Sequence, residues 1–180
     1  MKFPCVASLT MVAVLLLVCP RSIADETKWF DQSDAQILNG LKTVIVSVTG
    51  VPQEVENNGL SQLQIQTDVE LRLRQNGIRV VGHKEVINRG IYSVASFLNV
   101  NVNFLKDKDE GFYAYSINVE LGDTIRLVRN QNVKVGNAIT WQQGSVGFVG
   151  ITRVKDYMRS EILRLTDQFL NDYLKANPKR

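Results

Sequence analysis

Few residues of this chain have the type and spacing that chemistry demands. His83 is the only histidine, and the only cysteines are Cys5 and Cys19 near the amino terminus. A tetrahedral metal site needs several imidazole or thiolate ligands, and His83 in "GHKE" has none nearby in sequence. General-base work by His83 needs a partner that the sequence does not supply, so a surface histidine at a turn is the preferred reading. Serine nucleophiles of the hydrolase type sit in a G-x-S-x-G elbow, which is missing. Asp107, Asp109 and Glu110 cluster in "KDKDEG", where a solvated hairpin tip accounts for them better than a paired acid and base. No cofactor is implied.

"QQGSVGFVG" places Gly144, Gly147 and Gly150 between an expected strand and an expected helix, the position where phosphate-binding loops occur. The stretch has neither the spacing of a dinucleotide fingerprint nor the Lys-Ser/Thr of a Walker loop. A flexible connection is expected instead, flanked by Trp141 and Phe148 as a candidate contact patch. The preferred function is therefore a non-catalytic, exported binding or assembly module. Two alternatives stand beside it: a carrier for an apolar small ligand held between sheet and helices, and a secreted hydrolase whose site forms only on folding.

Export rests on residues 1–24. Lys2, the apolar run Leu9 to Val18 and the break Pro20-Arg21 before Ser22-Ile23-Ala24 have the layout of a secretory signal peptide. The apolar run is too short and interrupted to span a bilayer, so a periplasmic or extracellular product is expected. Cys19 in "LLVC" has the place of a lipobox cysteine, but bulky Val18 precedes it, and lipidation is disfavoured. Cleavage after Ala24 would leave a chain without thiols, stabilised by burial alone. Loss of Lys2 and Arg21 from 21 basic residues would leave 19 against 18 acidic ones, or +1. With signs interspersed, nucleic acid is excluded as a partner; a protein partner or a homo-oligomer remains.

The elements that would carry these residues follow from periodicity. A polar segment over 25–41 precedes a single domain over 42–177. Val44, Val46 and Val48, with Ile45 opposite, form a strand apolar on both faces, closed by Gly50 and Pro52. Residues 63–74 alternate apolar and polar, which suits a strand ending at an Asn76-Gly77 hairpin turn. A helix is preferred. Ser61 and Gln64 make a capping box, Leu60 and Ile65 a staple, Asp68/Arg72 and Glu70/Arg74 pair at i,i+4, and Gly77 suits a left-handed stop. Its apolar residues fall on two sides, so it must be covered by the sheet on one side and by a helix or partner on the other.

Ile78 to Gly82 forms a second short strand. Alternation then predicts a long strand with Tyr92, Val94, Leu98, Val100, Val102 and Phe104 on one face, a return strand with Tyr113, Tyr115, Ile117, Val119 and Leu121 inward, and a bend or bulge at Gly122-Asp123. "NQN" at 130–132 is the expected turn into a third strand through Val133, Val135, Ile139 and Trp141. From Ile151 to Tyr173 apolar residues step by three or four, a helix, with Leu163, Leu170 and Leu174 as a second stripe facing core or partner. Leu163 and Leu170 thus join Trp141 and Phe148 as candidate partner contacts.

"VIVSVTGVP", a helix, and "LRLRQNGIRVV" over Val44–Val81 resemble the strand–helix–strand opening of small domains in bacterial envelope accessory proteins, such as the amino-terminal domain of TolB and curli-secretion lipoproteins. The resemblance carries no functional residue with it. The expected fold is α+β: a two-layer sandwich of about five mostly antiparallel strands, with two helices packed on one face.

Overall fold

The computed structural model describes residues 34–90, 95–107 and 111–178. The leader, Cys19, the expected strand residues Tyr92 and Val94, and the tip residues Asp109 and Glu110 lie outside them. A four-residue helical turn, α1 (Asp34–Ile37), leads into β1 (Thr43–Thr49), then α2 (Gln53–Asn57), α3 (Gln62–Gln75) and β2 (Arg79–Val80). After α4 (His83–Arg89) come three long strands, β3 (Ser96–Lys106), β4 (Phe112–Leu127) and β5 (Asn130–Gly150); a 3₁₀ turn then opens α5 (Val154–Ala176). The sheet order is β2-β1-β3-β4-β5. β1 runs parallel to β2 and β3, whereas β3, β4 and β5 are antiparallel.

Residues 62–75 are helical, and the reason lies at both ends. At the carboxyl end, the Gly77 amide donates to the Arg74 carbonyl (3.0 Å) and the Ile78 amide to the Leu73 carbonyl (3.0 Å). Gly77 has φ 87°. This is a Schellman stop, with Leu73 and Ile78 buried together beneath it. The staple residues Leu60 and Ile65 are buried as well. The capping box does not form. Ser61 makes no side-chain cap, and the Gln62 amide donates instead to Glu56 Oε1 of α2 at 3.2 Å. Of the two expected ion pairs, Glu70–Arg74 forms at 2.8 Å. Asp68 turns away from Arg72 to receive Arg159 of α5, and Arg72 reaches Asp167 at 3.3 Å.

The core lies between one sheet face and the helices α3 and α5. Val44, Val46 and Val48 of β1, Leu98, Val100 and Val102 of β3, and the inward residues of β4 meet Ile65, Val69 and Leu73 of α3 and Met158, Ile162, Leu165 and Phe169 of α5. Expectation and structure part over the helices: they are not two on one face. α4 occupies the opposite face, where Val86 and Val81 cover Ile45 and Ala95. Ile45 requires this, because a β1 residue pointing away from the main core would otherwise meet water. Leu170 belongs to the core, while Leu163 and Leu174 are half-buried. The second stripe of α3 is left uncovered, with Leu63 and Leu71 exposed.

β1 stops at Gly50, whose φ of 86° brings its α-carbon against β3; a β-carbon there would lie 1.9 Å from the Val102 carbonyl oxygen. Gly122 and Asp123 do break the ladder, with register shifts at Leu121/Gly122 and Asp123/Ile125. Two expectations for β5 are corrected. The turn is not at 130–132 but at Val128-Arg129, because Leu127 pairs with Asn130. The glycine stretch is not a loop: it continues β5 to Gly150, paired with β4 throughout. Its glycines make room, since a β-carbon on Gly144 would meet Asn118 Oδ1 at 2.7 Å and one on Gly147 the Tyr115 hydroxyl at 2.9 Å.

The α3 cap gives a direct test. Ser61→Ala should change stability by less than about 0.5 kcal/mol, whereas Glu56→Ala, which strips the acceptor from the Gln62 amide, should cost about 1 kcal/mol by urea unfolding.

Candidate functional site

Strand β4 carries the main polar constellation at its break. The Asp123 carboxylate accepts from the Ser96 hydroxyl of β3 on Oδ1 and from the Thr140 hydroxyl of β5 on Oδ2, and the Leu121 carbonyl lies 3.3 Å from the same Thr140 oxygen. Three strands are thereby tied at the point where their register slips. Beside them opens a pocket of about 420 Å³, walled by Ile37, Leu41, Lys42, Ser96, Asp123 and Thr124. The pocket sits at the amino-terminal ends of β1 and β3, with the Asn39–Lys42 turn as its lip.

A carboxylate beside a serine hydroxyl in a pocket has the outward form of a catalytic pair. Its chemistry is limited by geometry. Both carboxylate oxygens are already engaged by hydroxyl donors, and Ser96 is only 7% exposed. A general base must be free to take the nucleophile's proton as the bond forms, and neither oxygen of Asp123 is free. The main chain of His83 begins α4, at the end of β2. No group of three or more His, Cys, Asp or Glu converges on a common point among the described residues.

Two further polar clusters brace the α5 and α2 sides. Lys106 Nζ donates to Glu54, and Tyr113 accepts at 3.4 Å from Asn58 Nδ2, so α2 is pinned under the β3–β4 hairpin. The Lys106 ammonium holds the Glu54 carboxyl below its ordinary range, and burial, followed by Glu54, pushes the Tyr113 phenol up. On α5, Arg164 pairs with Glu161 at 2.7 Å and lowers that carboxyl. Tyr157 and Tyr115 hydroxyls meet at 3.0 Å, and this bond raises the Tyr157 phenol.

The four candidate contact residues are not brought together. Trp141 is 3% exposed, stacked edge-on against Phe169 at 5.0 Å, with its indole N–H donated to Asp172 at 3.2 Å. Leu170 is core and Leu163 half-buried. Phe148 alone stands in solvent, 72% exposed. It faces away from the helices, edge-on to Phe112 at 5.4 Å. Its neighbours on that face are Ala114 and, one strand further, Leu105, with Val146 (82% exposed) two residues along β5. Leu105 and Phe112 drew no expectation from the sequence, and the loop expected at 142–150 hid this row.

Among solved structures, the chain is similar to chains of the PelC dodecamer at low identity. A single-substitution variant of the PelC dodecamer from Paraburkholderia phytofirmans is 16% identical, with a TM-score of 0.44 over 74% of this chain and 87% of that one. A second crystal form of the PelC dodecamer is 17% identical, with a TM-score of 0.42 over 70% and 85%. No family model and no curated protein matches the chain.

Asp123→Ala should destabilise by about 2 kcal/mol, more than Ser96→Ala or Thr140→Ala alone, and a Ser96/Asp123 double-mutant cycle should show coupling. Because the folded Tyr113 phenol titrates above its ordinary value of 10.0, its contribution is complete below that pH and is lost as pH rises through the folded value. Alkaline unfolding followed by far-UV dichroism should show that limb, and Tyr113→Phe should flatten it.

Proposed function

We propose that the chain is an exported, non-catalytic assembly module that works by strand addition at the free edge of β5. One observation carries this reading: among the described residues β5 spans 21 residues at the sheet edge and pairs only with β4. Its sole charge is Lys134 and it contains no proline. Soluble proteins blunt such edges with charge, proline or a covering element, because unpaired N–H and C=O groups recruit another strand. Val146 and Phe148 stand on the open face beside that edge, next to Leu105 and Ala114, so a strand added there would gain main-chain hydrogen bonds and apolar contact together. The exposed Leu63 and Leu71 of α3 offer a second contact, as a helix with two apolar sides requires. No helix among the described residues is long and apolar enough to cross a membrane.

The hydrolase alternative draws support from Ser96 and Asp123 in the wall of the pocket. It predicts ester or amide hydrolysis that disappears in Ser96→Ala while the fold survives. The carrier alternative has less in its favour: the depression between α3 and α5 at Ile65, Asp68 and Ile162 holds no water-sized space.

A photocrosslinker at position 146 or 148, in chain produced through its own export route, should give an adduct of discrete mass. One at Lys155 on α5 should not. Val146→Glu with Phe148→Glu should abolish the assembly seen by light scattering without changing the dichroism spectrum. A folded protein that crosslinks to nothing from either β5 position would refute the reading.

A further inference from the structure

Beyond the register slip at Asp123, β4 and β5 pair only with each other among the described residues, as a two-stranded arm. Ile125 pairs with Val135, Arg126 with Lys134 and Leu127 with Asn130. None of the residues from Thr124 to Ala138 is fully buried. Composition sets this arm apart: Arg126, Arg129 and Lys134 are basic, and residues 124–139 contain no Asp or Glu. Arg126 donates to the Gln131 carbonyl at 2.9 Å, but none of the three basic residues makes an ion pair among the described residues. Arg126 and Lys134 are cross-strand neighbours, a like-charge pairing that weakens a hairpin unless an anion bridges it.

The tip is equally unusual. Two-residue hairpin turns favour Asn-Gly, Asp-Gly or Gly-containing pairs, which reach the positive φ that matches strand twist. Here the turn is Val128-Arg129, neither residue has positive φ, and Val128 is 95% exposed. A β-branched apolar side chain exposed at the turn, beside Arg129 and above the Arg126–Lys134 pair, is a poor solution for water. It is a good one for an interface with an apolar interior and an anionic surface.

We propose that this arm docks on an anionic phospholipid surface, with Val128 entering the headgroup–acyl boundary and Arg126, Arg129 and Lys134 held at the phosphates. Lipid is favoured over an acidic protein because charge alone would explain the basic residues but leave the apolar tip without a role. Interfacial binding combines buried apolar area with attraction to anionic lipid, and each basic residue near the surface adds to it. The inference is independent of strand addition at β5, which uses the opposite end of that strand.

The test uses the full chain with Cys5→Ser, Cys19→Ser and Val128→Cys, labelled at position 128 with a polarity-sensitive fluorophore. Vesicles of phosphatidylcholine containing about 30% phosphatidylglycerol should shift the emission to the blue, and pure phosphatidylcholine should not. Replacing Arg126, Arg129 and Lys134 by Gln should weaken partitioning about a hundredfold, and about 0.5 M salt should weaken it similarly by screening. In the unlabelled chain, Val128→Glu should reduce sedimentation with the anionic vesicles. The label reports the tip, so binding through residues 1–24 alone would leave it unshifted, and that outcome overturns the proposal. An equal shift on neutral vesicles, or an unchanged triple variant, also overturns it. Polyglutamate competing as strongly as anionic vesicles, with no blue shift on either, would assign the arm to an acidic protein instead.

Discussion

The structure depends on one match: the period-two apolar face of β3 and β4 against the apolar face of α5. Leu98, Val100 and Val102 stand beside Leu121, Val119 and Ile117, and these six meet Met158, Ile162, Leu165 and Phe169 with almost no exposure. Burial of this kind contributes about 25 cal/mol per Å². α3 completes the same layer through Ile65, Val69 and Leu73, and ion pairs from Asp68 and Arg72 to α5 set the spacing of the two helices. Those pairs are partly exposed and add little to stability. Their role is to fix how the helices lie.

Committing α3 and α5 to one face decides what happens on the other. Alternation puts Asn101, Asn103, Ser116 and Glu120 outward, and they bond to one another across the strands, with Asn103 donating to Ser116 at 3.3 Å and Asn101 to Glu120 at 3.1 Å. α4 covers only the β1 end of that face. Toward β5 the surface turns apolar without a covering element, and beyond Asp123 the strands outrun the helices altogether. The surfaces proposed for partners are therefore the parts of the sheet that α5 and the short α4 do not cover.

Much of this was legible in residue order. The inward residues of β4, the two long helices, the strand count and the slip at Gly122-Asp123 all followed from periodicity and local chemistry. The α3 assignment was right although one of its arguments was not: Ser61 does not cap, and Glu56 from the preceding helix takes that place. What could not be read was tertiary in origin. Gly144, Gly147 and Gly150 signal a loop by composition, and only the side chains of Asn118 and Tyr115 lying against two of them show why a strand needs them there. α4 was missed because seven residues give too little periodicity. Val128-Arg129 went unnoticed as a turn because it breaks the rules by which turns are found, and such local violations tend to mark functional positions. Asp123 was visible as a bulge residue, but Ser96 and Thr140 reach it only through pairing 27 and 17 positions away.

The double slip between Leu121 and Ile125 also separates the arm from the body mechanically. Packing against α5 determines which way each side chain of β4 points as far as Leu121; past the slip, only the hydrogen-bond ladder with β5 does so. One residue inserted after Thr124 would leave every core contact in place yet turn Arg126 and Ile125 to exchange sides. The domain would remain as stable as before while presenting grease where it had presented charge.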